Sequence, residues 1–171
     1  MTVTIEQFVA ARGVGLLRAA YLLTGDRHLA EDLVQAALAK VWPKWEAVVA
    51  QGEPDGYVRR TLLTTYLSWR RRPGFFERPT SALPDLAAPS ADPADADPDL
   101  RRAMLAALAR LPRRQRATVV LRYLEDLSDV QTAQAMGCSV GTVKSQTAKA
   151  LRTLRAHLSD TRTEVLDERS V

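Results

Sequence analysis

The chain has a single cysteine, Cys138, so it can form no internal disulfide and no multi-cysteine zinc site. Its two histidines, His28 and His157, stand far apart, and no cysteine cluster accompanies either. A glycine-rich phosphate loop and a nucleophile elbow are both missing. The chain is therefore not expected to be an enzyme, and no catalytic residue, metal or cofactor is expected. No apolar run reaches the roughly 18 residues of a membrane-spanning helix. The start, MTVTIEQFVAARG, lacks the basic stretch and apolar core of a secretion signal. These points favour the cytoplasm and speak against membrane insertion. Strand signals are nearly absent, and no internal repeat is apparent.

What is present is helical and unevenly charged. At 46% hydrophobic and 26% charged, the chain has the composition of an ordinary globular protein, able to bury a core. Its net charge of +4 hides a pattern: +2 over residues 1–77, −3 over 78–98, +7 over 99–158 and −2 over 159–171. The basic stretch holds 11 Lys/Arg against 4 Asp/Glu, the footprint of a phosphate-binding surface or of a basic solvated face.

Helical periodicity predicts a first helix over 5–23, ended by Thr24-Gly25 and followed by a cap at Asp26. A second helix, from 26 to about 42, repeats Leu29, Leu33, Ala37 and Val41, and Pro43 should kink or end it. Residues 51–54 form a turn, and Asp55 can cap a third helix over 56–72, closed by Pro73-Gly74. Residues 77–98 hold five of the nine prolines and read as a flexible, extended linker. Helices over 99–109 and 113–124 flank a break at Leu111-Pro112, and the last dozen residues look frayed. The expected fold is all-α: two small helical domains on a proline-, alanine- and aspartate-rich tether.

The stretch 128–158 is the most specific. Ser128 with Gln131 makes a capping box. Val130, Ala133 and Met136 form a buried set, with Gln131 and Gln134 more exposed. Gly137 tolerates positive φ at the turn, and Ser139 caps the next helix. Val140 and Val143 point to the core, as does a stripe of Leu151, Leu154 and Leu158. Thr142, Lys144, Ser145, Gln146 and Lys149 lie elsewhere on that helix. This is the pattern of a helix-turn-helix whose second helix enters a DNA major groove. Lys144 can reach a guanine edge or a phosphate, Gln146 can pair with adenine, and Ser145 can serve either. Lys149 and Arg152 suit phosphates. Cys138, in the turn, reads as a small buried residue. Arg113, Arg114 and Arg116 upstream can grip the DNA backbone or form a solvated helix start.

The third helix, GYVRRTLLTTYLSWRRR, interleaves Arg59, Arg60, Arg70, Arg71 and Arg72 with Tyr57, Tyr66 and Trp69. That mixture suits single-stranded nucleic acid, with cations on the backbone and rings on unpaired bases. Equally, the aromatics can lie in the core with the arginines solvated. The second helix sets Glu31, Asp32 and Gln35 beside an apolar stripe and ends at Trp42 and Trp45. That suits a protein–protein contact, or a helix with a solvated acidic start.

With AEDLVQAALAKVW, YVRRTLLTTYLSWRRR, LPRRQRATVVLRYLEDLS and GCSVGTVKSQTAKALRTLR in that order, residues 5–158 resemble an extracytoplasmic-function (group 4) RNA polymerase sigma factor of actinobacterial type. The resemblance implies a transcription initiation factor that binds core RNA polymerase and recognises −35 and −10 promoter elements, aiding promoter melting. It puts Asp32, Leu33 and Gln35 on the polymerase clamp. It puts Arg59, Arg60, Thr64, Tyr66 and Trp69 at the −10 element. Opening there would be driven by capture of an unstacked base. The −35 element falls to Thr142, Lys144, Ser145, Gln146, Lys149 and Arg152. The family often has asparagine where this chain has Thr64, which bears on −10 preference because a hydroxyl offers fewer hydrogen bonds than an amide.

The implied organisation is a region 2 domain over 1–76, a linker over 77–98, a region 4 domain over 99–160 and a tail over 161–171. The linker's aspartates suit a basic channel near the RNA exit path. Promoter DNA and core polymerase are the implied partners, and an anti-sigma factor is a further candidate. The alternative is a stand-alone helix-turn-helix regulator with an N-terminal oligomerisation domain. It explains the C-terminal half equally well but leaves the arginine–aromatic helix and the tether without a purpose.

Overall fold

The computed structural model describes residues 3–69 and 98–168, all of whose regular elements are helical. The expected linker up to residue 97 lies outside them, as do Arg70, Arg71, Arg72 and Pro73-Gly74. Helix α1, Ile5–Thr24, opens on a capping box between Thr4 and Gln7 and closes at Gly25, whose φ of 73° is left-handed. Asp26 then accepts a hydrogen bond from the Leu29 N–H at 2.9 Å and starts α2, Arg27–Val41. Pro43 has its expected effect: α2 gives way to a 3-10 turn, Trp42–Lys44. A short helix that the periodicity did not suggest follows, α3, Trp45–Ala50, which buries Trp45 and Val48.

Helix α4, Pro54–Ser68, begins two residues earlier than expected. Pro54 takes the first helical position, where its missing N–H costs nothing. Asp55 is consequently inside the helix rather than its cap, and its carboxylate holds Arg59 one turn on at 2.8 Å. In the second half, α5, Pro98–Ala109, and α6, Arg113–Val119, flank the break at Leu111-Pro112. A π-helical turn, Val120–Leu124, extends α6. Helix α7, Asp129–Met136, and helix α8, Val140–Glu168, complete the chain. Of the frayed end expected after residue 159, the described part, up to Glu168, is instead the last stretch of α8. No glycine or proline follows Gly141, so nothing in the sequence interrupts the helix.

The core of the first half is the meeting of α1, α2 and α4. Leu16, Ala20, Leu33, Ala37, Val41, Val58, Leu63 and Tyr66 are each at most 1% exposed. In the second half α8 lies across α6 and α7, and Ala117, Thr118, Val143 and Ala150 are each at most 1% exposed. The two cores are continuous, because the π turn packs against α1 and α7 packs against α4.

Candidate nucleic-acid interface

The helix-turn-helix forms as its caps dictate. Ser128 accepts from the Gln131 N–H at 3.1 Å, and the Gln131 side chain accepts from the Ser128 N–H at 2.9 Å. Gly137 sits at φ 61°, and Ser139 caps α8 through the Thr142 N–H at 3.1 Å. One expectation inverts. Val130 is 55% exposed, and the buried face of α7 is Thr132, Ala133 and Met136. Positions 132, 133 and 136 share one side of a helix with 3.6 residues per turn, whereas 130 falls away from it. Val143 is buried as expected, Val140 and Cys138 are half-buried, and Leu151 and Leu154 are half-buried on the packing side. Leu158 has no described side chain.

On α8 the outward row is Thr142, Ser145, Lys149 and Arg152, at spacings of three, four and three. Ser145, Lys149 and Arg152 are exposed. Thr142 is half-buried, its hydroxyl 2.9 Å from that of Ser139, so it completes the cap as well as lying on the row. Exposed Lys144 and half-buried Gln146 flank the row, roughly a quarter turn to either side. Ser145, Lys149 and Arg152 therefore face away from Val143 and Ala150, with Thr142 and Lys144 to the sides, whereas Gln146, three positions after Val143 and four before Ala150, shares their buried side. Two cations converge with a hydroxyl on the outer face.

The α4 candidates divide. Arg60 and Thr64 are exposed, although the Thr64 hydroxyl is spent on the Thr61 carbonyl at 3.0 Å. Arg59 is half-buried and ion-paired with both Asp55 and Glu125. Tyr66 is enclosed at 0% exposure, and Trp69 and Tyr57 are half-buried against the core. For Tyr66 the observed position is the core alternative, because α4 packs on α2 with that face inward, whereas Tyr57 and Trp69 keep part of their rings exposed.

Arg113 and Arg116 are not free to grip a DNA backbone either. The Arg113 guanidinium lies over the Tyr66 ring, 5.3 Å from its centroid. Arg116 donates to the Leu23 carbonyl at 2.8 Å and to the Ala109 carbonyl at 2.7 Å. Burial pushes the Arg116 pKa down, and the neighbouring Tyr66 offsets part of that. Arg114 alone of the three is exposed.

On α2, Leu33 is fully buried and so cannot touch a partner; it belongs to the same core as Leu16. Asp32 and Gln35 are exposed. With Ala39 and Trp42 they make an outward stripe, again at spacings of three, four and three, that ends in a tryptophan 59% exposed. The sequence pointed to Trp42 but did not separate it from Trp45, which is buried. The signal was available: Trp42 continues the 32–35–39 register and Trp45 does not. Among the described residues no cluster of His, Cys, Asp or Glu could hold a metal ion, and no helix is long and apolar enough to cross a membrane.

Comparison with known proteins gives the same two halves. Residues 8–74 match the family pattern described as Sigma-70 region 2, and residues 101–154 match Sigma-70, region 4. The chain is 39% identical over 153 residues to the RNA polymerase sigma-E factor of Streptomyces coelicolor, covering 90% of this chain and 85% of that one. It is 31% identical over 147 residues to the ECF RNA polymerase sigma factor SigL of Mycobacterium tuberculosis, covering 85% and 83%. Among solved structures it resembles the sigma factor RpoE in complex with the anti-sigma factor NepR from Bartonella quintana. The TM-score is 0.68 at 25% identity, over 90% of this chain and 96% of that one. CnrH, solved with the cytosolic domain of CnrY, shares the fold at a TM-score of 0.60 and 22% identity, over 91% and 87%.

Proposed function

The chain belongs to the extracytoplasmic-function group of sigma-70 RNA polymerase sigma factors, and from that premise we propose how its parts divide the work. As a sigma factor it binds core RNA polymerase, directs initiation at promoters and aids their melting. In our reading, residues 1–76 form the unit for core polymerase and the −10 element, and 99–160 the unit for the −35 element. The segment over 77–98 tethers them, and 161–171 is a tail to the second unit. The outward row of α8 enters the −35 major groove. Ser145 and Lys144 sit near base edges, and Lys149 and Arg152 hold phosphates. Arg60 and Thr64 meet the −10 strand, joined by Arg59 once it is released. The stripe Asp32–Gln35–Trp42 on α2 docks on the polymerase clamp. The site of action is the cytoplasm, and an anti-sigma factor is the expected third partner.

The observation that carries this reading is the pair of outward rows on separate helices: a cationic one on α8 and an acid–amide–tryptophan one on α2. A stand-alone regulator has use for the first alone. Transcription of genomic fragments by purified core polymerase, with and without the chain, tests it. New transcripts that share upstream −35 and −10 elements are expected. An unchanged transcript set, with tight duplex binding by the chain alone, would favour the stand-alone regulator.

A further inference from the structure

Arg59 is the cation of α4 that a strand phosphate would meet alongside Arg60, yet its guanidinium is engaged from the other half of the chain. Glu125 reaches it from the end of the π turn. Both side chains are largely shielded, at 26% and 13% exposure, so the pair is less screened than a surface ion pair. The turn that presents Glu125 is itself held. The Glu125 N–H donates to the Val120 carbonyl at 2.9 Å, and Arg122 binds the Leu127 carbonyl and, at 2.7 Å, the Asp129 carboxylate. Asp126, next in the chain, is the one non-glycine residue with positive φ, 52°, among the described residues. A π turn followed by a left-handed aspartate is unusual backbone, maintained here by its surroundings.

Beneath the ion pair, Leu16, Ala19, Leu23, Leu62 and Leu63 of the first half meet Val120 and Leu121 of the second. Arg116 ties the far side to the Leu23 carbonyl. Meanwhile Ser145, Lys149 and Arg152 on α8 stay exposed. On α4 the Arg59 guanidinium is taken while Arg60 and Thr64 stay exposed, and the row on α8 is left open.

We propose that the free chain latches itself shut: Glu125 takes the Arg59 guanidinium in place of a strand phosphate, so α4 captures single-stranded DNA only after the two halves part. The proposal rests on the reading of α4 as the strand-binding helix. Binding that requires a minor open form is weakened by the fraction of chains that are open, and loosening the latch restores the difference.

The test uses the full chain, with small-angle scattering for compaction and anisotropy of a fluorescein-labelled single-stranded DNA oligonucleotide for capture. Glu125→Gln is expected to enlarge the radius of gyration and to tighten strand binding about fivefold. Glu46→Gln makes the same charge change at an exposed site away from the latch and is expected to do neither. Arg59→Glu should also open the chain, and Arg59→Glu with Glu125→Arg should close it again, which separates a latch from mere misfolding. A Glu125→Gln chain as compact as the parent, with unchanged strand affinity, overturns the latch. An opened chain that binds the strand no better overturns the inhibitory role, and the α4 reading fails with it.

Discussion

The guanidinium of Arg113 lies over the ring of Tyr66, 5.3 Å from its centroid, and joins helix α6 of the C-terminal half to the most deeply buried aromatic of the N-terminal half. The Tyr66 hydroxyl is buried with no hydrogen-bond partner. Burial raises its pKa above the ordinary 10.0, and the charges of Arg116 and Arg113 offset only part of that rise.

The sign of the pH dependence follows. The folded state holds the phenolic proton more tightly than the unfolded state does. The resulting stability is intact below the unfolded value near 10.0 and is lost as pH rises toward the folded one. Tyr66→Phe removes both the titration and the unsatisfied hydroxyl. Its stability at neutral pH should equal the parent's or exceed it by about 1 kcal/mol, and its alkaline limb should be flatter. Urea unfolding followed across the alkaline range checks both. A parent and variant that lose stability in parallel there would place the titration elsewhere.

How much of this was legible in the sequence depends on where each residue's partner lies. Gly25, Asp26, Ser128, Gln131 and Gly137 act on backbone within a few positions, so their chemistry can be read locally, and each does what its type dictates. The outward row of α8 follows from helical period once Val143 is set inward. Arg116 was not legible, because the carbonyl it binds lies 93 positions away. Tyr66 was undecided for a related reason: composition does not say whether an aromatic among arginines faces a base or a neighbouring helix. Val130 was misread because a three-residue step suits the helix period as well as a four-residue one. The tie was broken by Thr132, a polar residue that takes the core position.

That exchange on α7 makes a prediction. Val130 is largely exposed, so Val130→Ser should change stability by no more than about 0.5 kcal/mol. Thr132 is fully buried, and its hydroxyl has no partner. Thr132→Val keeps its shape and drops the unpaired group, so it should leave stability unchanged or raise it by about 1 kcal/mol. Chemical denaturation of the two variants measures this. A large loss in Val130→Ser would restore Val130 to the core.

The backbone of the turn is less forgiving. Gly137 has φ 61° and open space around its missing Cβ. Gly137→Ala therefore meets conformational strain and no clash, and about 1–2 kcal/mol of stability should be lost. Ser128→Ala, which breaks the capping box, should cost about 1 kcal/mol. Thermal melts of both would show these losses. A neutral Gly137→Ala would mean that the turn relaxes out of the left-handed region.

The division of labour between the halves can be separated by two exposed charges. Lys144→Ala should weaken binding of a −35 duplex by the holoenzyme about tenfold, the scale of one lost base or phosphate contact. Its affinity for core polymerase should be unchanged. Asp32→Ala should do the reverse. Equilibrium titrations with core polymerase and with promoter fragments give both numbers for each variant. A fall in core affinity for Lys144→Ala would put part of the polymerase contact on α8.

The two tryptophans at the junction of α2 and α3 make the sharpest contrast, because three positions separate opposite roles. Trp45 is 8% exposed, donates its indole N–H to the Val3 carbonyl at 2.9 Å and tilts against Phe8 with ring centroids 5.2 Å apart. Trp45→Ala should therefore destabilise the fold by about 3–5 kcal/mol. Trp42 is 59% exposed and ends the stripe begun by Asp32 and Gln35. A large exposed ring at the end of an interaction stripe has the character of a binding hot spot, so Trp42→Ala should weaken core polymerase binding about tenfold or more. Its unfolding midpoint should stay near the parent's, since the ring leaves little behind in the core. Calorimetric binding to core polymerase, paired with denaturant melts, distinguishes the two residues. If Trp42→Ala bound core polymerase normally, the α2 stripe would end at Gln35, and the docking face would have to be sought on another helix.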